Sequence, residues 1–347
     1  MKIAVALSGG VDSSVAAALL KKAGHDVIGV SMIIWPTSRC CSKEAIDDAK
    51  NVAEFLNIPF KTYDFIPSFT EKIVNSFCED YINARTPNPC PRCNSLFKFN
   101  YLWDQVKKDF GVEKLATGHY AGIRFNKKSQ RFQLLKAKDL TKDQSYMLYS
   151  LSPEQLSYAV FPLEEQTKKT TRKIASELGL KVANKKESQD VCFNEGDTGL
   201  FLASRLGDRI KQGKIINTQG ERLGTHKGIV YYTIGQRKGL GLSYKEPLYV
   251  IKIIPETNTI VVGTKEETYG KELIARQFNW LSCPPITKPI KAYIKIRYAS
   301  TPALADVIPL SKNEVKIFFS EPQMAITPGQ VAVAYKGNML LGGGIID

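Results

Sequence analysis

The segment Ser8–Ser14, which reads Ser-Gly-Gly-Val-Asp-Ser-Ser, has the residue types of an anion-binding turn. Two adjacent glycines allow a tight turn without Cβ clashes, so backbone N–H groups can point to one place. The hydroxyls of Ser8, Ser13 and Ser14 can add donors there. The segment has neither the lysine of an ordinary P-loop nor the glycine spacing of a dinucleotide-binding fingerprint.

The elements on either side of this turn favour phosphate as the anion. The apolar run Lys2–Leu7 predicts a buried strand, and Val11 with Val15–Leu20 predicts the apolar side of a helix that ends near Gly24. A turn between strand and helix directs the helix N-terminus at the ligand. The alternative is a plain Gly-Ser turn that ends a strand.

Cysteines form the second group of residues that could do chemistry. The chain has seven, at positions 40, 41, 78, 90, 93, 192 and 283, and an odd number argues against a disulfide framework. Cys90 and Cys93 form a Cys-x-x-Cys pair in a stiff, proline-rich loop, and Cys192 lies in a second notable segment, Lys185–Phe193. A lone Cys-x-x-Cys is compatible with half a zinc site, a redox pair or coincidence.

Composition limits the class of protein. A chain of 347 residues that is 43% apolar suits two or three globular domains. No run approaches the roughly 18 apolar residues of a membrane span, and the N-terminus enters a strand at once, so we expect a cytoplasmic protein with no signal peptide and no membrane partner. The net charge of +14 favours a nucleic-acid partner, the alternative being a generally basic surface.

The N-terminal half predicts an α/β fold with a doubly wound parallel sheet. Further strands are predicted over Val27–Ile34, Phe60–Phe65 and Val112–Ala116, and helices after Ser42, over Phe69–Tyr81, after Ser152 and over Thr170–Leu178. Ligands of such sheets bind at the carboxyl ends of the strands. The turn Ser8–Ser14, Met32 and Gly118-His119 all fall there.

Two small all-β domains are predicted to follow a basic helical part at 150–205. That part carries Lys168, Lys169, Arg172, Lys173, Lys181, Lys185 and Lys186. Short β-rich runs between glycine turns then appear at Gly228–Ile234, Leu248–Ile254, Thr259–Val262, Lys291–Tyr298, Val315–Phe319 and Val331–Ala334. The predicted domains are 1–207, 208–272 and 273–347.

Seven motifs in order give the chain a resemblance to a known family. They are Ser8–Ser14, Thr86–Pro89 with Cys93-Asn94, Ala116–Ala121, Lys142–Tyr146, Ser188–Phe193, Tyr232–Leu240 and Thr327–Gln330. The first resembles the pyrophosphate-binding loop (PP-loop) of the ATP-pyrophosphatase superfamily. Together they resemble the tRNA-specific 2-thiouridylase family almost end to end.

The resemblance implies a fold, a reaction and its partners. The fold is an adenine nucleotide alpha hydrolase-like PP-loop domain followed by two β domains. The reaction is ATP-dependent 2-thiolation of uridine 34, the wobble position of tRNA, by adenylation of the C2 oxygen and transfer of a relayed persulfide sulfur. AMP and pyrophosphate are released. ATP, Mg²⁺, tRNA and a sulfur donor are therefore expected.

The resemblance also implies roles for residues at matching positions. Cys93 is the nucleophile, Cys192 carries the persulfide, and the two form a disulfide as sulfur is released. ATP is held by Leu7, Ser8, Gly9, Gly10, Val11, Asp12, Ser13, Ser14, Met32 and Gly118, with Asp12 expected to act through Mg²⁺. The target base faces Asn88, Pro89 and Cys90. The tRNA contacts are His119, Lys142, Asp143, Gln144, Arg297, Tyr298 and Gln330.

One position departs from the commoner family pattern, which has Asp where this chain has Cys90. Cys90, Cys93 and Cys192 give three cysteines, a set that resembles other tRNA-thiolating enzymes in which three cysteines hold a [4Fe–4S] cluster with one open iron. A persulfide relay and a cluster that carries sulfide are both left open.

Two rival functions come from other classes. Another PP-loop synthetase, which adenylates a small acid, explains the phosphate turn but neither the cysteines nor the β domains. A non-catalytic sulfur carrier or RNA-binding protein explains the cysteines and the charge but leaves the phosphate turn without a purpose.

Overall fold

The computed structural model describes residues 1–36, 42–185, 191–194 and 196–347. Cys40, Cys41, Lys186 and the motif residues Ser188–Asp190 lie outside them. The strands of the first half are β1 Lys2–Ala6, β2 Asp26–Ile33, β3 Phe60–Asp64, β4 Lys114–Thr117, β5 Ala121–Asn126, β6 Arg131–Lys136 and β7 Ala159–Val160. Five of these form one parallel sheet in the order β3-β2-β1-β4-β7.

Helices cover both faces of this sheet because its strands alternate apolar residues between the faces. Ile3 and Val5 of β1 pack with Ala17 on one side, and Ala4 packs with the core on the other. The α-helices are α1 Val11–Lys22, α2 Lys43–Phe55, α3 Ile66–Phe69, α4 Asn75–Ile82, α5 Pro89–Cys93, α6 Trp103–Phe110, α7 Pro153–Tyr158, α8 Lys168–Glu177 and α9 Thr198–Leu206. The predicted doubly wound α/β fold is confirmed.

Two of the helical runs contain π-helical turns. Thr70–Val74 joins α3 to α4, and Asn94–Leu102 joins α5 to α6. The second segment begins directly after Cys93 and includes a non-helical residue, Phe99, with φ −94° and ψ 15°. Wide turns of this kind occur often at functional sites.

A four-stranded sheet follows in the order β10-β11-β8-β9. Its strands are β8 Gly213–Asn217, β9 Arg222–His226, β10 Tyr249–Ile254 and β11 Thr259–Gly263. The strand predicted at Gly228–Ile234 is wrong, because Ile229–Tyr231 forms a 3₁₀ turn instead. Val230 and Tyr232 are buried in the core from that turn. A short apolar run fits a buried strand and a buried turn equally well, so the sequence does not distinguish them.

The C-terminal strands close into an antiparallel barrel. They are β12 Tyr269–Asn279, β13 Ile290–Lys295, β14 Ala303–Ser311, β15 Glu314–Met324, β16 Val331–Lys336 and β17 Met339–Ile346, and β12 pairs with both β15 and β17. The hairpin β5–β6, from the first half of the chain, extends this sheet through β17. The sequence pattern did not predict the two strands of this hairpin. Among the described residues, no helix has the length and apolarity needed to cross a membrane.

Leu134→Ala tests whether the hairpin packs into the main hydrophobic core, to which Leu340 of β17 also belongs. Leu134 is fully buried on β6 opposite Leu340, so its truncation should lower the free energy of unfolding by about 2–5 kcal/mol. Urea denaturation followed by circular dichroism measures the loss. The matched control is Leu304→Ala on β14, where the side chain is 37% exposed and a much smaller loss is expected. Equal losses would contradict the assignment.

Candidate active site

The turn after β1 is braced by its own side chains. Gly9 has φ +65°, and a Cβ at this position would lie 2.2 Å from the Ala45 carbonyl oxygen on α2. The Ser13 and Ser14 hydroxyls donate to the Gly10 carbonyl at 3.1 and 2.9 Å. These two hydroxyls therefore hold the turn, while Ser8 is exposed.

The carboxyl ends of three strands meet at this turn. A Cβ on Gly118, after β4, would lie 2.6 Å from the Ser13 nitrogen, so only glycine lets β4 approach α1 this closely. The Ser31 hydroxyl, beside the buried Met32 on β2, donates to the Leu7 carbonyl at 2.5 Å. The structure thus brings Leu7, Met32 and Gly118 to one edge of the sheet.

Asp12 lies in the first turn of α1 and binds partners from two other elements. Lys168 Nζ lies 2.9 and 2.8 Å from its two carboxylate oxygens, and the Tyr120 hydroxyl donates to it at 2.8 Å. Lys185 reaches the same turn, with Nζ 3.2 Å from the Gly9 carbonyl oxygen and 2.6 Å from Asp48. In the sequence both lysines are visible only as part of a basic stretch, because nothing in the local pattern indicates these distant partners.

The loop with the Cys-x-x-Cys pair is held in a defined shape. The Asn88 side chain accepts a hydrogen bond from the Cys90 N–H at 3.2 Å, which caps α5. The Ser150 hydroxyl donates to the Pro91 carbonyl at 2.7 Å, and Asn94 Nδ2 donates to the Met147 carbonyl at 2.9 Å. Cys93, half-buried, is the last residue of α5.

Cys93 and Cys192 are both half-buried and pack against the same hydrophobic core. Phe193, 2% exposed, follows Cys192 and lies edge-on to Phe69 with ring centroids 5.9 Å apart. The ring centroids of Phe69 and Phe97 are 5.2 Å apart. Phe97 follows Cys93 by about one helical turn. This chain of rings fixes both cysteine segments to one support.

The expected Mg²⁺ and iron–sulfur sites need several grouped ligand side chains. Within the described ranges, no three or more His, Cys, Asp or Glu side chains are grouped so as to hold a metal ion. Cys90, Cys93 and Cys192 all belong to these ranges. Asp12, the carboxylate of the phosphate turn, is held by Lys168 and Tyr120.

Several residues expected to touch tRNA make hydrogen bonds within the protein. Asp143 is buried and accepts from the N–H groups of Ala137 and Ser145. Gln144 accepts from the Tyr120 N–H at 3.0 Å, and Arg297 donates to the Met324 carbonyl at 2.8 Å. These contacts order the loops on which the side chains lie.

Three more of these residues remain partly accessible. Tyr298 is 38% exposed, and Lys295 Nζ lies 5.3 Å from its ring centroid. Lys142 is half-buried. Burial lowers the pKa of His119 well below its ordinary value, and its Nδ1 lies 2.7 Å from the Thr117 hydroxyl. His119 is therefore neutral near pH 7 and suited to hydrogen bonding rather than to ion pairing with phosphate.

Gln330 joins the C-terminal barrel to the cysteine loop. Its Nε2 donates to the Thr86 carbonyl at 2.7 Å, and the Thr86 N–H donates to the Pro328 carbonyl at 2.8 Å. A Cβ on Gly329 would lie 2.8 Å from the Thr86 nitrogen. The Thr86 hydroxyl also lies 3.4 Å from that of Thr233, so all three parts of the chain meet at Thr86.

Three successive parts of the chain match known family models. Residues 1–196 match the family model described as tRNA methyl transferase HUP domain, residues 199–264 the tRNA methyl transferase PRC-barrel domain, and residues 270–346 the aminomethyltransferase beta-barrel domain. These models define a class of proteins with one HUP domain followed by two barrel domains.

Relatives then identify the family. The chain is 45% identical over 355 residues to the tRNA-specific 2-thiouridylase MnmA of Clostridium botulinum, covering 100% of this chain and 98% of the relative. It is 44% identical to that of Synechocystis sp., covering 99% and 96%. The chain belongs to the tRNA-specific 2-thiouridylase family. The family predicted from the seven motifs is thus confirmed, and with it the class of enzyme, a tRNA sulfurtransferase.

A distant likeness to a solved structure is also found. The U34-tRNA thiolase NcsA from Methanococcus maripaludis with its [4Fe-4S] cluster is 21% identical, with a TM-score of 0.37 over 55% of this chain and 60% of that one. A likeness at this level says nothing of the cofactor of this chain.

Gly9→Ala tests the geometry of the phosphate turn. A side chain here takes a strained backbone angle and meets a carbonyl oxygen, so the free energy of unfolding should fall by about 1–3 kcal/mol or more. Gly10→Ala is the matched control, because its nearest neighbour would be the Ser8 side chain at 3.4 Å. Thermal unfolding of both variants measures the difference, and a Gly10→Ala loss as large as that of Gly9→Ala would count against this geometry.

Proposed function

We propose that the protein uses ATP to replace the C2 oxygen of uridine 34, the wobble uridine of tRNA, with sulfur. The observation that carries this proposal is that one chain of the 2-thiouridylase family has an anion-binding turn, a half-buried cysteine loop and a C-terminal barrel that hydrogen-bonds to that loop. In this proposal the turn binds ATP, the cysteine loop transfers sulfur and the barrel contacts the RNA.

Adenylation of the base is the first step. The uridine C2 oxygen attacks the α-phosphorus of ATP, the bond to the bridging oxygen breaks, and pyrophosphate leaves with the electron pair. The N–H groups at the start of α1 face the phosphates and offset their charge. Mg²⁺, when bound with ATP, would neutralise phosphate charge, and the turn offers Asp12 as its carboxylate.

Sulfur transfer follows on the cysteine loop. A donor persulfide passes its outer sulfur to the Cys192 thiol, and that sulfur attacks C2 and displaces AMP. Cys93 thiolate then attacks the Cys192 sulfur, which releases the thiocarbonyl and leaves a Cys93–Cys192 disulfide. A thiol reductant restores both cysteines. The shared aromatic support of the two segments suits this exchange.

Placement of the base completes the proposal. A uridine in an RNA loop must leave its stack to reach an enclosed site. Asn88, Pro89 and Cys90 lie at the start of α5, the helix that ends at Cys93, so a base held there would be next to the nucleophile. The exposed Tyr298 and the neighbouring Lys295 offer a stacking face and a charge for the RNA.

Asp12→Ala tests the ATP step. Loss of the carboxylate at the phosphate turn should reduce tRNA-dependent release of pyrophosphate by about a hundredfold or more. Pyrophosphate is measured with and without tRNA for both proteins, and circular dichroism confirms the fold. Wild-type release that needs a small acid and not tRNA would favour the rival synthetase. No release under any condition would favour the non-catalytic carrier.

Cys90→Asp tests the choice of sulfur route. Because the commoner family pattern has Asp at this position, we expect this variant to keep thiolating tRNA through the relay, whereas Cys93→Ala and Cys192→Ala should lose activity. Thiolated tRNA is measured with a persulfide donor, together with the iron content of protein purified without oxygen. Loss of both iron and activity in Cys90→Asp would establish a cluster in place of the relay.

A further inference from the structure

Lys168 occupies an unusual place for a lysine. It is the first residue of α8, its side chain is 12% exposed, and its Nζ contacts both oxygens of Asp12 at 2.9 and 2.8 Å. Asp12 belongs to the first turn of α1, which begins at the phosphate turn. A largely buried ammonium group therefore lies beside the anion-binding end of a helix.

Two further contacts fix the position of this ion pair. The Tyr120 hydroxyl, from the segment after β4, lies 2.8 Å from Asp12 Oδ1 and 2.9 Å from the Thr171 hydroxyl on α8. Lys168 Nζ also lies 5.9 Å from the centre of the Tyr120 ring. The lysine is thus held from α1, from α8 and from the end of β4.

Electrostatics suggests why a lysine is placed there. The N-terminus of a helix carries a partial positive charge, so an ammonium group next to it is unfavourable by itself. Taking an ion pair out of water costs further free energy. Both costs are offset when a polyanion binds at the same place, because the helix N–H groups and the ammonium then act on one ligand.

We propose that Lys168 binds the pyrophosphate portion of ATP and stabilises it as it leaves, and that Asp12 and Tyr120 position this lysine. As the bond between the α-phosphorus and the bridging oxygen breaks, negative charge grows on the pyrophosphate oxygens. The ammonium donates hydrogen bonds to them and keeps its proton throughout. This inference rests on the proposed function and adds to it a specific residue for the leaving group.

Lys168→Gln is the main test, with Lys168→Arg as the conservative variant. Lys168→Gln should lower kcat/KM for ATP in tRNA-dependent pyrophosphate release by roughly a hundredfold, and Lys168→Arg should recover part of it. Inhibition by added pyrophosphate should weaken about tenfold in Lys168→Gln. The matched control is Lys173→Gln on the same helix, an exposed lysine paired with Glu177, which should behave as wild type.

A double variant separates leaving-group binding from a merely structural tie. The Asp12→Asn background has no carboxylate for Lys168 to neutralise, so if neutralisation were its only role, adding Lys168→Gln there would leave the affinity for pyrophosphate unchanged. The proposal expects Lys168→Gln to weaken pyrophosphate binding about tenfold in that background as well. An unchanged pyrophosphate affinity there, or a Lys168→Gln defect confined to tRNA affinity, would overturn it.

The proposed function and the role of Lys168 are tested by different measurements. The wild-type protein tests the function, through the requirement for tRNA and the product it forms. The Lys168 variants are compared with wild type on whichever acceptor supports pyrophosphate release, so their ratio reports on the lysine alone. Near-equal rates of Lys168→Gln and wild type on that acceptor would refute the inference and leave the function standing.

Discussion

The close approach of β4 to the start of α1 is the constraint on which the site depends. Gly118 lies so near the Ser13 backbone that any side chain would push the strand end and the helix apart. Because the two are in contact, Tyr120, two residues after Gly118, reaches Asp12 in the first turn of α1. Asp12 also pairs with Lys168, the first residue of α8, and so ties the start of that helix to α1. The phosphate turn is thus shaped from outside as much as by its own glycines.

Much of the fold could be predicted because its signals are local. The strands β1 to β4 are short apolar runs, and the N-caps of α2 and α7, Ser42 and Ser152, are visible in the sequence and are used as expected. The hairpin β5–β6 was not identified, since its exposed and buried residues alternate weakly and its partner β17 lies far along the chain. The run Gly228–Ile234 was assigned to the wrong element because apolar residues fill a core equally well from a turn.

In the candidate site, too, local motifs could be predicted and long-range contacts could not. Motifs indicated which residues belong to it, and the structure brings those around the phosphate turn together. The pairing of Asp12 with Lys168 could not be predicted from the sequence, because the residues are 156 positions apart and neither residue type requires the other as a partner. Gln330 was expected to touch RNA, and its bond to Thr86 makes it a brace for the cysteine loop as well. Long-range hydrogen bonds of this kind leave no periodic signal.

The place of the hairpin in the barrel has a consequence for how the chain is made. Leu134 and Leu340 pair across about 200 residues of sequence, which a ribosome synthesises in roughly 10–40 s. During that interval β6 has left the ribosome while its neighbour does not yet exist, and its apolar face and strand edge stay open to solvent and to other chains. Nascent chains of this protein are therefore most exposed to aggregation, and most in need of chaperones, before the last strand is synthesised.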